Sequence, residues 1–290
     1  MTHAETLRRL LAGPDVVIAP GMFNGLTALL VQQEGFPCAY LGGASISYAR
    51  IGRPDIGLMS FGEVAETVSQ IRERIDIPFV VDADTGFGNA LNVQRTVRVL
   101  ERMGASGIQL EDQTMPKRCG HLSGKTLIPR DEMLGKLKAA QDARSDDATV
   151  IVARTDAIAV EGFAAALERA HAYVECGADM LFVEAPQNEE QLKTLGRELG
   201  GRVPLLANMV EGGKTPLKTA QELAELGFKM VIYPGAMIRV LAHAARAYLT
   251  ALKTHGTTDT FRDRMLDFNE LQDLIGTDEM LAAGRRYDSG

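Results

Sequence analysis

Cysteine is scarce in this chain of 290 residues. The three present, Cys38, Cys119 and Cys176, are too few and too scattered for a disulfide framework or a zinc knuckle. Positive charge is also in short supply. The 31 Lys and Arg face 38 Asp and Glu, a net charge of −7, which argues against nucleic acid or an anionic membrane as the main partner. No basic run and no heptad array offsets that balance. No apolar run approaches the roughly 20 residues that span a bilayer, and no Pro/Ser-rich linker divides the chain. The N-terminal Met1-Thr2-His3-Ala4-Glu5 lacks the basic, apolar and small-residue regions of a signal peptide. A reducing cytoplasm is the expected compartment.

What the chain does have is alternation. Short apolar runs are predicted as strands at 16–19, 39–41, 79–82, 108–111, 150–154, 180–184, 205–208 and 230–233. Between them lie amphipathic stretches, among them 61–75, 92–103, 130–143 and 162–175, several closed by glycines such as Gly104, Gly177 and Gly227. Continuous apolar strands alternating with helices predict a single (β/α)8 barrel over residues 1–290, with a doubly wound sheet as the competing architecture. From about residue 237 the tail is longer than one closing helix needs and is predicted to add two or three helices, exchanged with a neighbouring subunit.

The placement of polar residues favours the barrel. Asp82, Glu111, Arg154, Glu184 and Asn208 each end an apolar run, with Asp84 just beyond the third. In a barrel those ends converge on one mouth, where catalytic groups collect. Asp82 and Asp84, two apart, would share a face in a regular strand. With Gly86 and Gly88 allowing tight turns, they suit an oxygen-liking ion such as Mg²⁺ or Mn²⁺. A helix cap or salt bridge would use the same pair, and Glu111, one strand later, shifts the balance toward metal.

Lys117-Arg118-Cys119-Gly120-His121 follows directly. The thiol sits on a polar loop, and its cationic neighbours are expected to stabilise the thiolate and lower its pKa. It is poised to serve as nucleophile or as general acid. Gly120 and Gly124 suit a mobile lid. His121 is the one histidine singled out, since His3, His171, His243 and His255 lie on helices or tails. Arg154 offers a fork for a substrate carboxylate, or an ion pair with Glu184 or Asp156. The Gly42-Gly43-Ala44-Ser45 turn offers backbone N–H groups and a hydroxyl. Cys38 and Cys176 are read as packing.

Taken together, Asp82-Ala83-Asp84-Thr85-Gly86-Phe87-Gly88, Glu111-Asp112-Gln113, Lys117-Arg118-Cys119-Gly120-His121 and Ala153-Arg154-Thr155-Asp156-Ala157 resemble the isocitrate lyase/phosphoenolpyruvate mutase superfamily over essentially the whole chain. The Lys-Arg-Cys-Gly-His loop is similar to that of its carbon–carbon lyases. The resemblance implies that Asp84 contacts Mg²⁺ directly, with Asp82 and Glu111 acting through water, and that Cys119 is the acid/base of the lid. It further implies a substrate site lined by Gly42, Gly43, Ala44, Asp55, Lys117, Gly120, His121, Arg154, Glu184 and Asn208. A barrel helix swapped between subunits of a homotetramer is implied too.

The expected reaction is retro-aldol (Claisen-type) cleavage of a 2-hydroxy dicarboxylate, such as 2,3-dimethylmalate, to pyruvate and a short acid. Two departures from the methylisocitrate lyase pattern favour a dicarboxylate: Gly42 replaces the first serine of the turn, and the segment after Asn208 reads Met209-Val210-Glu211-Gly212-Gly213-Lys214-Thr215-Pro216. Alternatives are 2-methylisocitrate cleavage, oxaloacetate hydrolysis or decarboxylation, phosphonopyruvate chemistry, and a non-catalytic dicarboxylate sensor.

Overall fold

A computed structural model of the chain describes residues 1–288. Among these, eight strands close a parallel barrel in sequence order. They are β1 (Val17–Met22), β2 (Ala39–Leu41), β3 (Phe79–Asp82), β4 (Gly107–Glu111), β5 (Val150–Thr155), β6 (Met180–Val183), β7 (Leu205–Asn208) and β8 (Met230–Tyr233). Closure is made by β8 against β1, with Val17 opposite Met230 and Pro20 opposite Tyr233. The eight predicted runs are thus the eight strands, and the doubly wound sheet is excluded. The runs read so cleanly because each strand of a parallel barrel is buried on both faces. All six residues of β5 are buried, for example.

β1 runs three residues past its apolar run. Gly21 permits this: a Cβ there would fall 2.2 Å from the Pro234 carbonyl oxygen, so only glycine lets β1 approach the segment after β8. The helices follow their punctuation. Ser60 caps the helix Phe61–Arg72 in a reciprocal box with Glu63, and helix Arg130–Ala143 has the predicted bounds.

The first helix is among the elements that the sequence pattern does not predict. Helix His3–Ala12 opens with a Thr2/Glu5 capping box and buries Leu7 and Leu11. Both leucines join the cluster that fills the barrel interior with Val80, Val152, Met180, Phe182 and Leu206. Leu7 approaches Gly107, the first residue of β4. The helix therefore closes the barrel at the N-terminal ends of its strands. A larger apolar layer, including Val68, Val97, Leu137 and Tyr173, seals barrel to helices.

The described chain separates into two compact units, 1–238 and the residues from 239 onward. The second holds the remainder of helix Ala236–His255 and helices Phe268–Ile275 and Thr277–Arg285. Phe261 is buried in it, edge-on to Tyr248 at 5.7 Å. Val240, Leu241, Leu249, Phe268 and Met280 are exposed. Among the described residues no helix is long and apolar enough to cross a membrane.

Candidate active site

The C-terminal ends of the strands converge as expected, with one change of mechanism. Asp82 and Asp84 do not share a face through strand pleating, because β3 ends at Asp82. Asp84 instead adopts a left-handed backbone, φ 48°, and its N–H donates to Asp82 Oδ1 at 3.1 Å. A turn, not the pleat, pairs the carboxylates. Such a conformation is costly for a non-glycine residue and gathers at functional sites. Gly86 completes the turn at φ 81°, where a Cβ would meet Val93 at 2.4 Å. Gly43, opening helix Gly43–Ile51 after β2, lies so near that a Cβ would sit 3.2 Å from Asp84 Oδ1 and 3.8 Å from Asp82 Oδ2. Gly43 thus brings the first turn of that helix to the acidic mouth, while Gly42, its N-cap, packs on Tyr40 and Pro234. The Ser45 hydroxyl does not join Gly43, because it donates to Pro234 O at 2.6 Å.

Lys117 turns inward. Its ammonium lies 2.5 Å from Asp55 Oδ1 and 2.7 Å from Asp84 Oδ1. Burial would lower its pKa, but the Asp84 and Asp55 carboxylates outweigh that and hold it well above the ordinary lysine value. Burial lifts the Asp84 carboxyl to about 7 against the pull of Lys117.

This geometry corrects the expectation for Cys119. Lys117 is committed to two carboxylates, Arg118 donates to Ser123 O at 2.8 Å, and His121 faces Glu184. Burial pushes the thiol pKa up, and the backbone of His121 and the charge of Arg154 offset this only in part. The thiol is held protonated, which suits a general acid and not a thiolate nucleophile. Neighbours in sequence along an extended loop point to different places.

Arg154, at the end of β5, is caged by acids. Its Nε lies 2.9 Å from Asp156 Oδ2 and 3.3 Å from Glu111 Oε2, and Nη2 lies 3.3 Å from Glu184 Oε2. The guanidinium stacks 4.9 Å from the Phe182 ring. The ion-pair reading of Arg154 is therefore realised, with Glu111 as a third partner. Burial would raise the Glu184 carboxyl, but Arg154 and His121 carry it below the usual range. Asn208 Nδ2 donates to Glu184 Oε2 at 3.1 Å.

The loop carrying Cys119 is seated on this mouth. Its base is a short antiparallel bridge of Gln113 with Leu127, reinforced by Thr114 N–H to Thr126 O at 2.9 Å. Cys119 N–H donates to Asp55 O at 3.1 Å. The Lys214 N–H donates to His121 Nδ1 at 3.1 Å, so Nε2 carries the proton of the neutral ring and faces Glu184 Oε1 at 3.3 Å. A Cβ on Gly120 would lie 2.5 Å from Arg154 Nη2 and 2.6 Å from Glu184 Cγ. The backbone here rests directly on the arginine.

Several working residues carried no clear sequence signal. Gln113 clasps the loop from both sides, accepting from Arg118 N–H at 2.9 Å and donating to Arg118 O at 2.8 Å. Tyr40 donates to Gln109, whose amide donates to Asp82 Oδ1 at 3.0 Å. Asp112 accepts from Thr155 Oγ1 and Tyr173 OH, each at 2.7 Å, and from Asp156 N–H at 3.0 Å. Lys125, its side chain 1 % exposed, reaches Asp156 Oδ1 at 2.8 Å.

Acid exceeds base at the mouth: Asp55, Asp82, Asp84, Glu111, Asp156 and Glu184 face Lys117, Lys125 and Arg154, all buried. Asp84 Oδ1, Glu111 Oε1, Glu184 Oε1 and Asn208 Oδ1 are buried without a hydrogen bond. Asp84 Oδ1 pairs in charge with Lys117, at an angle that makes no hydrogen bond. Orphaned hard oxygens and surplus negative charge are what a divalent cation or ligand donors would satisfy. Among the described residues no three His, Cys, Asp or Glu side chains gather closely enough to ligate one ion together.

The phosphoenolpyruvate phosphomutase family model matches residues 7–253. The 2,3-dimethylmalate lyase of Eubacterium barkeri is 43% identical over 290 residues, 100% of either chain. The 2-methylisocitrate lyase of Aeropyrum pernix is 47% identical over 270 residues, 93% of this chain and 86% of that one. Among solved structures, an oxaloacetate acetylhydrolase bound to 3,3-difluorooxalacetate superposes with TM-score 0.93 at 32% identity, covering 100% of this chain and 98% of the other. A 2,3-dimethylmalate lyase superposes with TM-score 0.93 at 33% identity, over 99% and 95%.

Proposed function

The chain belongs to the phosphoenolpyruvate phosphomutase family, within the isocitrate lyase/phosphoenolpyruvate mutase superfamily, and on that footing we propose that it is a carbon–carbon lyase. It cleaves a 2-hydroxy dicarboxylate of the 2,3-dimethylmalate type to pyruvate and a short carboxylic acid. The observation that carries this reading is the loop of Cys119 seated beside Arg154 and a carboxylate-rich floor, where burial pushes the thiol pKa up.

A base of the carboxylate-rich floor takes the C2 hydroxyl proton, the C2–O bond becomes the carbonyl of pyruvate as the C2–C3 bond breaks, and the carbanion-like fragment left at C3 must gain a proton. Cys119 delivers it, and burial keeps that proton available. Arg154, already oriented by Asp156, Glu111 and Glu184, holds a substrate carboxylate. The amides of Gly43 and Ala44 hold the other carboxylate. His121, fixed in one tautomer by Lys214, directs an N–H toward Glu184 and the substrate. Loop closure excludes water from the nascent carbanion.

Mg²⁺, with Mn²⁺ as a substitute, would be held by Asp84 directly and by Asp82 and Glu111 through water, and when bound it supplies positive charge to the oxygens of the developing 2-oxo acid. Lys117, paired with Asp84, would share that carboxylate with the ion and help to neutralise the site. The enzyme acts in the cytoplasm as a homotetramer with an exchanged helix; the exposed Val240, Leu241 and Leu249 on helix Ala236–His255 support an assembly.

Full-length similarity to a dimethylmalate lyase and the glycine at position 42 support a dicarboxylate. The higher identity to a methylisocitrate lyase favours the tricarboxylate as a second reading. The test follows product formation from each compound with Mg²⁺ and with excess EDTA. Pyruvate with propionate identifies dimethylmalate cleavage, whereas pyruvate with succinate identifies methylisocitrate cleavage. No cleavage of either refutes the substrate class and makes oxaloacetate the next compound. EDTA-resistant turnover refutes the metal assignment.

A further inference from the structure

Lys125 lies outside the loop motif, yet its ammonium joins two parts of the site. It donates to the carbonyl of Gly120, the residue after Cys119. It also lies 2.8 Å from Asp156 Oδ1. That same oxygen accepts from Arg154 Nη2 at 3.3 Å, and Asp156 Oδ2 accepts from Arg154 Nε at 2.9 Å. Asp156 is itself fixed from below, because its backbone N–H donates to Asp112 Oδ1 at 3.0 Å. Asp156 thus stays with the barrel while Gly120 belongs to the loop.

We infer that Lys125 is a positioning residue that latches the Cys119 loop onto the Arg154–Asp156 pair. The argument is one of desolvation. An ammonium with 1 % of its side chain exposed must keep its acceptors. Lys125 sits beside the base of the loop, next to the Thr114–Thr126 pairing, so when the Cys119–Gly120 tip lifts the Gly120 carbonyl goes with it and the buried charge is left with Asp156 alone. The seated loop is favoured by that difference. A lysine suits the task better than an arginine, since one compact charge on a long stem reaches a backbone carbonyl and one carboxylate oxygen together. The latch also explains how Arg154 stays oriented when three carboxylates compete for it. Lys125 draws part of the charge of Asp156 away from the guanidinium, leaving Glu111 and Glu184 as its other anchors.

The catalytic consequence rests on the lyase reading, but the latch does not. The test therefore uses the intact ligand-free protein and the alkylation rate of each cysteine by iodoacetamide, read by peptide mass spectrometry at several pH values. Lys125→Met should speed alkylation of Cys119 about tenfold, the change expected for loss of one charge-assisted hydrogen bond. Cys38, fully buried in the barrel, should keep its rate. Lys125→Gln serves as a second variant should the methionine protein fail to fold. Under the lyase reading, kcat/KM should fall in the same variant. A Cys119 rate unchanged from the parent, or a rise shared by Cys38, overturns the latch. If no dicarboxylate is cleaved but Cys119 alone becomes reactive, the lyase reading fails and the latch stands.

Discussion

Replacing Gly120 by alanine isolates the contact between loop and site. The backbone of Gly120 is not left-handed, so alanine brings no conformational strain of its own. What it brings is a methyl group 2.5 Å from Arg154 Nη2, 2.6 Å from Glu184 Cγ and 2.7 Å from Glu184 Cδ. Ordinary carbon contacts begin near 3.5 Å, so something must move by about 1 Å. Neither neighbour gives way readily: the guanidinium is gripped by Asp156, Glu111 and Glu184, and Glu184 is 1 % exposed. Overpacking of this kind costs about 1–3 kcal/mol, which lowers the seated population of the loop roughly 5- to 150-fold. The open loop escapes the clash, so the barrel should keep its stability, with Tm within about 2 °C of the parent. The assay pairs lyase kinetics with thermal unfolding. A Gly120→Ala enzyme with kcat/KM within about twofold of the parent at the same Tm would refute the claim that this seated geometry is the productive one.

Cys119→Ser should lower kcat by about 10²–10⁴ while calorimetry still records Mg²⁺-dependent ligand binding; ordinary turnover would remove Cys119 from the mechanism. Because burial raises the thiol pKa, the protonated acid persists to a higher pH than in a free cysteine. Activity should therefore survive where a free thiol has ionised, and a Cys119-dependent loss below that point would contradict the assignment. Asp112→Asn replaces a carboxylate that accepts from Thr155, Tyr173 and the Asp156 N–H and faces Arg169 at 3.4 Å. It should cost about 3 kcal/mol in urea unfolding, and a loss under about 1 kcal/mol would show that the network relaxes around the amide.

Parallel strands made the barrel legible. β5 and β6 bury every residue, so their apolar runs end in Arg154 and Glu184 without the alternation that obscures an exposed sheet. Helix His3–Ala12 was missed although Thr2 and Glu5 spell its capping box, because its two core leucines give too short a period to stand out. The carboxylates, thiol and arginine were legible as a set, but their electrostatics were not. Whether a lysine two residues from Cys119 faces the thiol or Asp84 depends on the twist of the loop, which adjacency does not encode. Gln113 and Lys125 escaped for a related reason: their partners, the Arg118 backbone and Gly120 with Asp156, meet them only once the loop is folded down.

Helix His3–Ala12 also bears on traffic. Leu7 and Leu11 complete a barrel interior that Val80, Val152, Met180, Phe182 and Leu206 fill with side chains, so the site faces out at the C-terminal strand ends, where the loop of Cys119 is seated. Two fragments produced at its floor leave by the route through which the substrate came. On the proposed lyase reading depth should set their order: the fragment nearer the loop departs first, and the one against the Asp82–Asp84 turn departs last. Product inhibition carries that order as its signature, since the deeper fragment competes with substrate for the empty site and the shallower one does not.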